Sequence, residues 1–293
     1  MKKITELIRQ GKILISDGAW GTILQEKGMK PGECPEMWNI EKPDKVFEIA
    51  KSYIDAGADM IETNSFGGNI FKLKNYGAEQ KVKVINNAAA RISRKAAGTE
   101  KFVIASIGPT GKILMTGEVT ENELYDAFKE QSIALEEGGA DALIIETMSD
   151  LDEAVIAIRA AKENTKCEII CTMTFEKTIS GEYRSMMGVS PSDMTIKLID
   201  AGADIIGANC GNGSIDMAGI VKEIRNINKK IPVLIHANAG MPVYKDGKTV
   251  FPENPEEMTN NISDVIKAGA NIIGGCCGTT PEHIRKIAEK YKK

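Results

Sequence analysis

The chain has 293 residues, 42% of them hydrophobic and 27% charged, which is enough apolar material for a large buried core. Its formal net charge is -4 with no long basic block, so a nucleic-acid partner is not expected. The start, MKKITELIRQGKILIS, is too interrupted by charge for a signal peptide, and no run of about 18 apolar residues exists to span a membrane. The expectation is a cytoplasmic protein with one domain over residues 1–293.

In chain order, the first short apolar run is Ile13–Ser16. Helical Asp44–Ala56 leads into AGADMIET (Ala56–Thr63), and Phe102–Ile107 is the next run. Helical Glu121–Glu137 leads into GGADALIIET (Gly138–Thr147); Asp152–Glu163 is helical again and Glu168–Met173 is a run. Ser192–Ala201 leads into AGADIIGANC (Ala201–Cys210), Pro232–His236 is a run, and Pro255–Ala268 leads into AGANIIGGCC (Ala268–Cys277).

Four of these segments share one design. A Gly ends the helix, where the left-handed conformation suits it. A fully apolar stretch then reads as a buried strand, and polar or reactive residues follow it. Eight buried strands alternating with helices call for a parallel sheet, because parallel neighbours need crossovers. Eight units in this length favour an α/β fold closed into a single (β/α)8 TIM barrel over an open doubly wound sheet. No GxGxxG or Walker-type loop follows the first strand to support a nucleotide-binding sheet.

In a barrel, the residues after each strand gather at the C-terminal mouth. Here they are Asp17-Gly18, Thr63-Asn64, Gly108-Pro109, Glu146-Thr147, Thr172 to Thr174, Asn209-Cys210, His236 to Asn238 and Cys276-Cys277. Cys210 and the Cys276-Cys277 pair follow the sixth and eighth strands, so three thiols distant in sequence can approach one point. Three thiolates suit zinc and leave a fourth position for substrate. Such a zinc lowers the pKa of a bound thiol, which suits alkyl transfer to sulfur. Packing against a strand end is the plainer reading of the Cys276-Cys277 pair taken alone. Among the other cysteines, Cys167 and Cys171 read as small core hydrophobes and Cys34 as incidental.

DGAWGT (Asp17–Thr22), ETNSFGGN (Glu62–Asn69), IGPTG (Ile107–Gly111), IIET (Ile144–Thr147), GANC (Gly207–Cys210), NAGMP (Asn238–Pro242) and GGCCGTTPEHI (Gly274–Ile284) resemble the homocysteine S-methyltransferase family, in its order and over nearly the whole chain. The CCGTTP form is most similar to the homocysteine-binding module of cobalamin-dependent methionine synthases. The resemblance implies a zinc-bearing barrel with Cys210, Cys276 and Cys277 as ligands. It also implies that the backbone around Asp17, Gly18 and Ala19 holds the amino-acid end of homocysteine, and that Glu146 takes its ammonium group. Asn238 matches the position that fills the fourth zinc site when thiol is absent. Turn chemistry is the alternative for Asp17 and Asn64, and a strand-capping role for Glu146. Asn64 is otherwise read as support behind the site, Asn209 as orienting a cysteinate or making a turn, and His236 as structural.

The activity implied is methyl transfer to homocysteine thiolate, giving methionine. The donor implied is methylcobalamin on a separate corrinoid protein or module, since no D-x-H-x-x-G cobalamin signature occurs here. The alternatives are a corrinoid-linked demethylase of a small methylated substrate, an S-methylmethionine- or betaine-dependent homocysteine methyltransferase, and a zinc-binding regulatory or storage protein. Three departures stand out: Trp20 where Met or Tyr is more usual, Ala237 where Pro commonly precedes NAG, and the segment Thr178–Pro191. That segment, with Arg184, Met186 and Met187, follows the fifth strand and could alter the acceptor's shape or charge.

Overall fold

The computed structural model describes residues 3–245 and 247–292. The eight runs become the strands β1 (Leu14–Ile15), β2 (Met60–Ile61), β3 (Phe102–Ile107), β4 (Ala142–Met148), β5 (Glu168–Met173), β6 (Ile205–Gly213), β7 (Val233–Asn238) and β8 (Ile272–Gly275). They are parallel and hydrogen-bonded in the order β1-β8-β7-β6-β5-β4-β3-β2. Between them lie α1 (Ile4–Arg9), α2 (Pro43–Asp55), α3 (Val82–Ala97), α4 (Glu121–Glu137), α5 (Leu151–Asn164), α6 (Pro191–Asp200), α7 (Ser214–Ile227), α8 (Pro255–Ala268) and α9 (Pro281–Tyr291), with short turns of helix in several loops. The expected ends hold to within one or two residues with one exception. β6 continues through a register shift to Gly213, so Cys210 lies inside it rather than after it.

Strands β1 and β2, at the two ends of this order, meet at a narrow seam. Asp59 donates its N–H to the Ile15 carbonyl at 2.6 Å, and Ile15 returns its N–H to Asp59 Oδ2 at 3.1 Å. The ring of strands is thus nearly closed.

This reciprocal pair occurs four times and is what the repeated phrase encodes. Asp141 exchanges bonds with Val103, Asp204 with Ile169 and Asn271 with Val233, each through its own N–H and its side-chain oxygen, at 2.7–3.0 Å. A basic side chain steadies each acceptor: Lys162 on Asp204, Arg94 on Asp141, Arg225 on Asn271, and Lys101 with Lys292 on Asp59. The preceding glycines, Gly57, Gly139, Gly202 and Gly269, all sit at φ between 96° and 115°, where other residues are strained. Each repeat therefore turns out of its helix and staples the start of an even strand to its odd neighbour.

Alternate strand residues point inward. At the base they form an apolar plug of Leu14, Met60, Ile104, Ile144, Ile170, Leu234 and Ile272, and α1 closes it with Ile4 and Ile8. Glu168, the first residue of β5, holds α1 there. Its carboxylate accepts from Ile4 N–H at 2.6 Å, Thr5 N–H at 3.2 Å and Thr5 Oγ1 at 2.6 Å. The helices pack outside around a larger core that includes Trp38, Tyr53 and Phe128. No helix among the described residues is long and apolar enough to cross a membrane.

Candidate metal and substrate site

One layer above the plug, the same inward positions turn polar. β3 follows Ile104 with Ser106, β4 follows Ile144 with Glu146, and β7 follows Leu234 with His236. Beyond β2 comes Glu62. All four line a cavity of about 330 Å³ whose rim carries Cys210, Cys276 and Cys277.

The three sulfurs lie within 4.8 Å of one another, and those of Cys210 and Cys277 are 3.9 Å apart. Three sulfurs bound tetrahedrally at about 2.3 Å from one ion stand roughly 3.8 Å apart, so the spacing fits a single metal. Backbone geometry produces it. At the register shift in β6, Cys210 takes φ 57° and Gly211 φ 68°, turning the thiol toward the barrel axis. A Cβ on Gly211 would stand 2.4 Å from the Phe175 carbonyl oxygen, so this turn admits only Gly. Cys276 N–H donates to Ala237 O at 2.7 Å, and Ala239 N–H to Cys277 O at 3.0 Å. These bonds fix the vicinal pair beside β7.

Hydrogen bonds from Cys276 and Cys277 pull the Cys210 thiol down to about 3, and the same bonds push Cys276 well up and Cys277 up to about 11. The trio thus favours one thiolate, centred on Cys210. Asn238, at the end of β7, also helps to lower the Cys210 thiol, and its buried Oδ1 has no hydrogen-bond partner.

Glu146 is buried and accepts from Ser106 Oγ and, at 3.4 Å, from Asn209 Nδ2. Burial, reinforced by Glu62, raises its carboxyl well above the usual range. Burial and Asp17 do the same to Glu62, while burial lowers His236 and keeps its imidazole neutral near pH 7. Asn209 does not orient a cysteinate through its amide, as one reading of the sequence had it. That amide is engaged by Glu146, Thr147 and Thr172.

The remaining expected residues divide. Gly18 and Ala19 line the cavity. Both backbone polar groups of Ala19 are engaged, by Thr279 Oγ1 at 3.0 Å and by the Tyr53 hydroxyl at 2.7 Å. The Asp17 carboxylate points away from the cavity into the β1–β2 seam, where it accepts from Glu62 N–H, Trp20 Nε1 and Ser16 Oγ at 2.9–3.0 Å. Trp20, the departure from the family pattern, is accommodated by that bond. Asn64 lines the cavity, but its amide braces the Pro35–Asn39 loop. The segment Thr178–Pro191 does not reach the cavity. It folds outward as the hairpin Glu176–Lys177 with Tyr183–Arg184, pinned to α7 by Lys177 on Asp216. Cys167 and Cys171 are buried as expected. Cys34 is buried as well, against Glu36.

Two residues escaped the sequence reading. Thr279 is fully buried and ties the first motif to the last, accepting from Ala19 N–H and donating to the Cys276 carbonyl at 2.7 Å. Glu62 faces the cavity within 4.8 Å of Glu146. The signal for it was present, since the first two repeats both end in Glu-Thr.

The sequence pattern of homocysteine S-methyltransferases matches residues 14–291, from β1 to the end of α9. The chain belongs to the homocysteine S-methyltransferase family. Methionine synthases of Mycobacterium leprae and Mycobacterium tuberculosis are each 30% identical to it over 94% of its length. The chain spans about a quarter of those relatives, 24% of each. The crystal structure of the homocysteine methyltransferase MmuM from Escherichia coli in its metallated form superposes with a TM-score of 0.79, at 21% identity over 97% of this chain and 98% of that one. Its apo form gives 0.75. The carboxyl transferase domain of Rhizobium etli pyruvate carboxylase matches at 0.54 and 14% identity, a likeness of fold. In this member of the family, β6 carries Cys210, β8 leads into Cys276 and Cys277, β4 carries Glu146, and Glu62 follows β2.

Proposed function

We propose that this chain transfers a methyl group to the thiolate of homocysteine, giving methionine, with zinc held by Cys210, Cys276 and Cys277 and methylcobalamin on a partner protein or module as donor. The observation that carries the reading is the convergence of three sulfurs at metal-binding spacing on the rim of a cavity lined by a buried carboxylate. Zinc in this thiolate set supplies the Lewis acidity that keeps a substrate thiol deprotonated at neutral pH.

The protein's own residues do the rest by positioning. Glu146, held by Ser106 and Asn209, takes the ammonium end of the amino acid. Gly18 and Ala19 bring backbone close to that end. Trp20 and Phe66 form apolar walls. An S–CH3 bond forms as the donor–CH3 bond breaks, and no proton has to be relayed during transfer. Asn238, whose buried Oδ1 has no hydrogen-bond partner, would offer an oxygen ligand when no thiol is bound.

The test compares metal content and homocysteine binding of wild type and Cys210→Ala, followed by turnover with different donors. The expected result is one zinc per wild-type chain, loss of zinc and of homocysteine binding in the variant, and methionine formed from methylcobalamin. Turnover with S-methylmethionine or betaine but none with methylcobalamin overturns the donor. A metal-free wild type that still binds homocysteine overturns the metal site.

A further inference from the structure

Within the reading of the cavity as a homocysteine site, we propose that Glu62 and Glu146 act as a pair, a two-carboxylate clamp on the substrate's ammonium group, with His236 as the residue that positions Glu62. The clamp makes the site select amino-acid thiols over thiols that lack an amine.

Both carboxylates are more than nine-tenths buried, at 8% and 7% exposure, and both face the cavity. Together with the His236 ring their ligand atoms lie within 4.8 Å of one another. Glu62 Oε1 is buried with no hydrogen-bond partner, and His236 Nδ1 stands 3.3 Å from it. His236 Nε2, also buried, has none either. Glu146, by contrast, is oriented by Ser106 and Asn209.

Two carboxylates this close in a buried cavity ionise together only at a cost, unless a cation joins them. The protein does not supply one: among the described residues, no Lys or Arg lines the cavity. The missing charge therefore comes with the ligand. A primary ammonium has three N–H donors and one positive charge, which matches a Glu62 oxygen with no hydrogen-bond partner and the Glu146 carboxylate within 4.8 Å of it. The sulfurs on the rim of the same cavity take the other end of that molecule. Burial raises both carboxyls well above the usual range, in keeping with a pair that ionises fully only around a cation.

The experiment measures calorimetric affinities of the zinc-loaded protein for L-homocysteine and for 4-mercaptobutyrate, which lacks only the amine, with zinc content determined in parallel. Wild type should prefer homocysteine by about tenfold or more, the scale of one charge-assisted contact. Glu62→Gln keeps the shape of the side chain and should cut that preference to about threefold or less, with the affinity for 4-mercaptobutyrate and the zinc content unchanged. A Glu62→Gln protein with the wild-type preference overturns the clamp and leaves the homocysteine reading standing. A wild type that binds both thiols equally overturns the reading and the clamp together, and needs no variant. Two zinc ions per wild-type chain falling to one in Glu62→Gln would make the cluster a second metal site instead.

Discussion

Thr147 and Asn209 are joined by two opposed hydrogen bonds, from Thr147 N–H to Asn209 Oδ1 at 2.8 Å and from Asn209 Nδ2 to Thr147 Oγ1 at 2.7 Å. The pair spans two strands that are not neighbours, β4 and β6, and holds Thr147 at φ 59°, a costly conformation for a β-branched residue. Glu146 owes its direction to this brace.

Asn209→Ala should accordingly weaken substrate binding rather than metal binding. The expected result is a KM for homocysteine raised about tenfold, with zinc content unchanged and kcat lowered less than KM rises. Steady-state kinetics with metal analysis checks it. Loss of zinc with an unchanged KM would show that Asn209 serves the cysteines instead.

The cysteines should differ sharply in reactivity once metal is removed by a chelator. Cys210, pulled down to about 3 by its neighbours' hydrogen bonds, is a thiolate throughout the neutral range. Cys34 and Cys167 are pushed up to about 12 by burial and stay protonated. Iodoacetamide should therefore label Cys210 first, at a rate nearly flat from pH 6 to pH 8, where an ordinary thiol gains about tenfold per unit. Peptide mapping by mass spectrometry reads the order. Zinc should slow the labelling, and a Cys34-first order would contradict the shared-thiolate picture.

Glu168 holds the first helix to the base of the barrel. Replacing it with Ala strands two backbone N–H groups of α1 and one hydroxyl at the barrel's base, at a cost of about 2–4 kcal/mol. Urea unfolding should show that loss, with homocysteine affinity per folded molecule unchanged.

The interstrand staples should be worth less each. Asp204→Ala removes an acceptor from Ile169 N–H and releases the half-exposed Lys162. The ion pair counts for little, and the stranded amide costs about 1–3 kcal/mol. A lowered melting temperature with full zinc occupancy is the expected reading.

Much of this was legible before any coordinates. The four Gly-Ala-Asp/Asn phrases announce strand starts because only Gly tolerates the φ required there, and a barrel strand buried on both faces leaves an unbroken apolar run. The rim cysteines follow from those two facts. The staples stayed hidden, because whether Asp141 bonds Val103 depends on the register between strands. Glu62 was missed because its strand is two residues long and the Glu reads as loop. Its inward direction emerges only when Met60 is seen in the barrel's interior. Asn209, adjacent to Cys210 in sequence, invited a role at the metal, yet strand alternation turns its amide toward Glu146.

The plug of α1 also governs traffic. With the base of the ring corked by Ile4 and Ile8, the cavity opens at the mouth, where the sulfurs stand on the rim and the carboxylates are buried below. For the proposed reaction an amino-acid thiol enters amine first, and any methyl donor queues behind it. The methylated amino acid would then leave only after the spent donor, so initial-rate kinetics should show a compulsory order of arrival and departure.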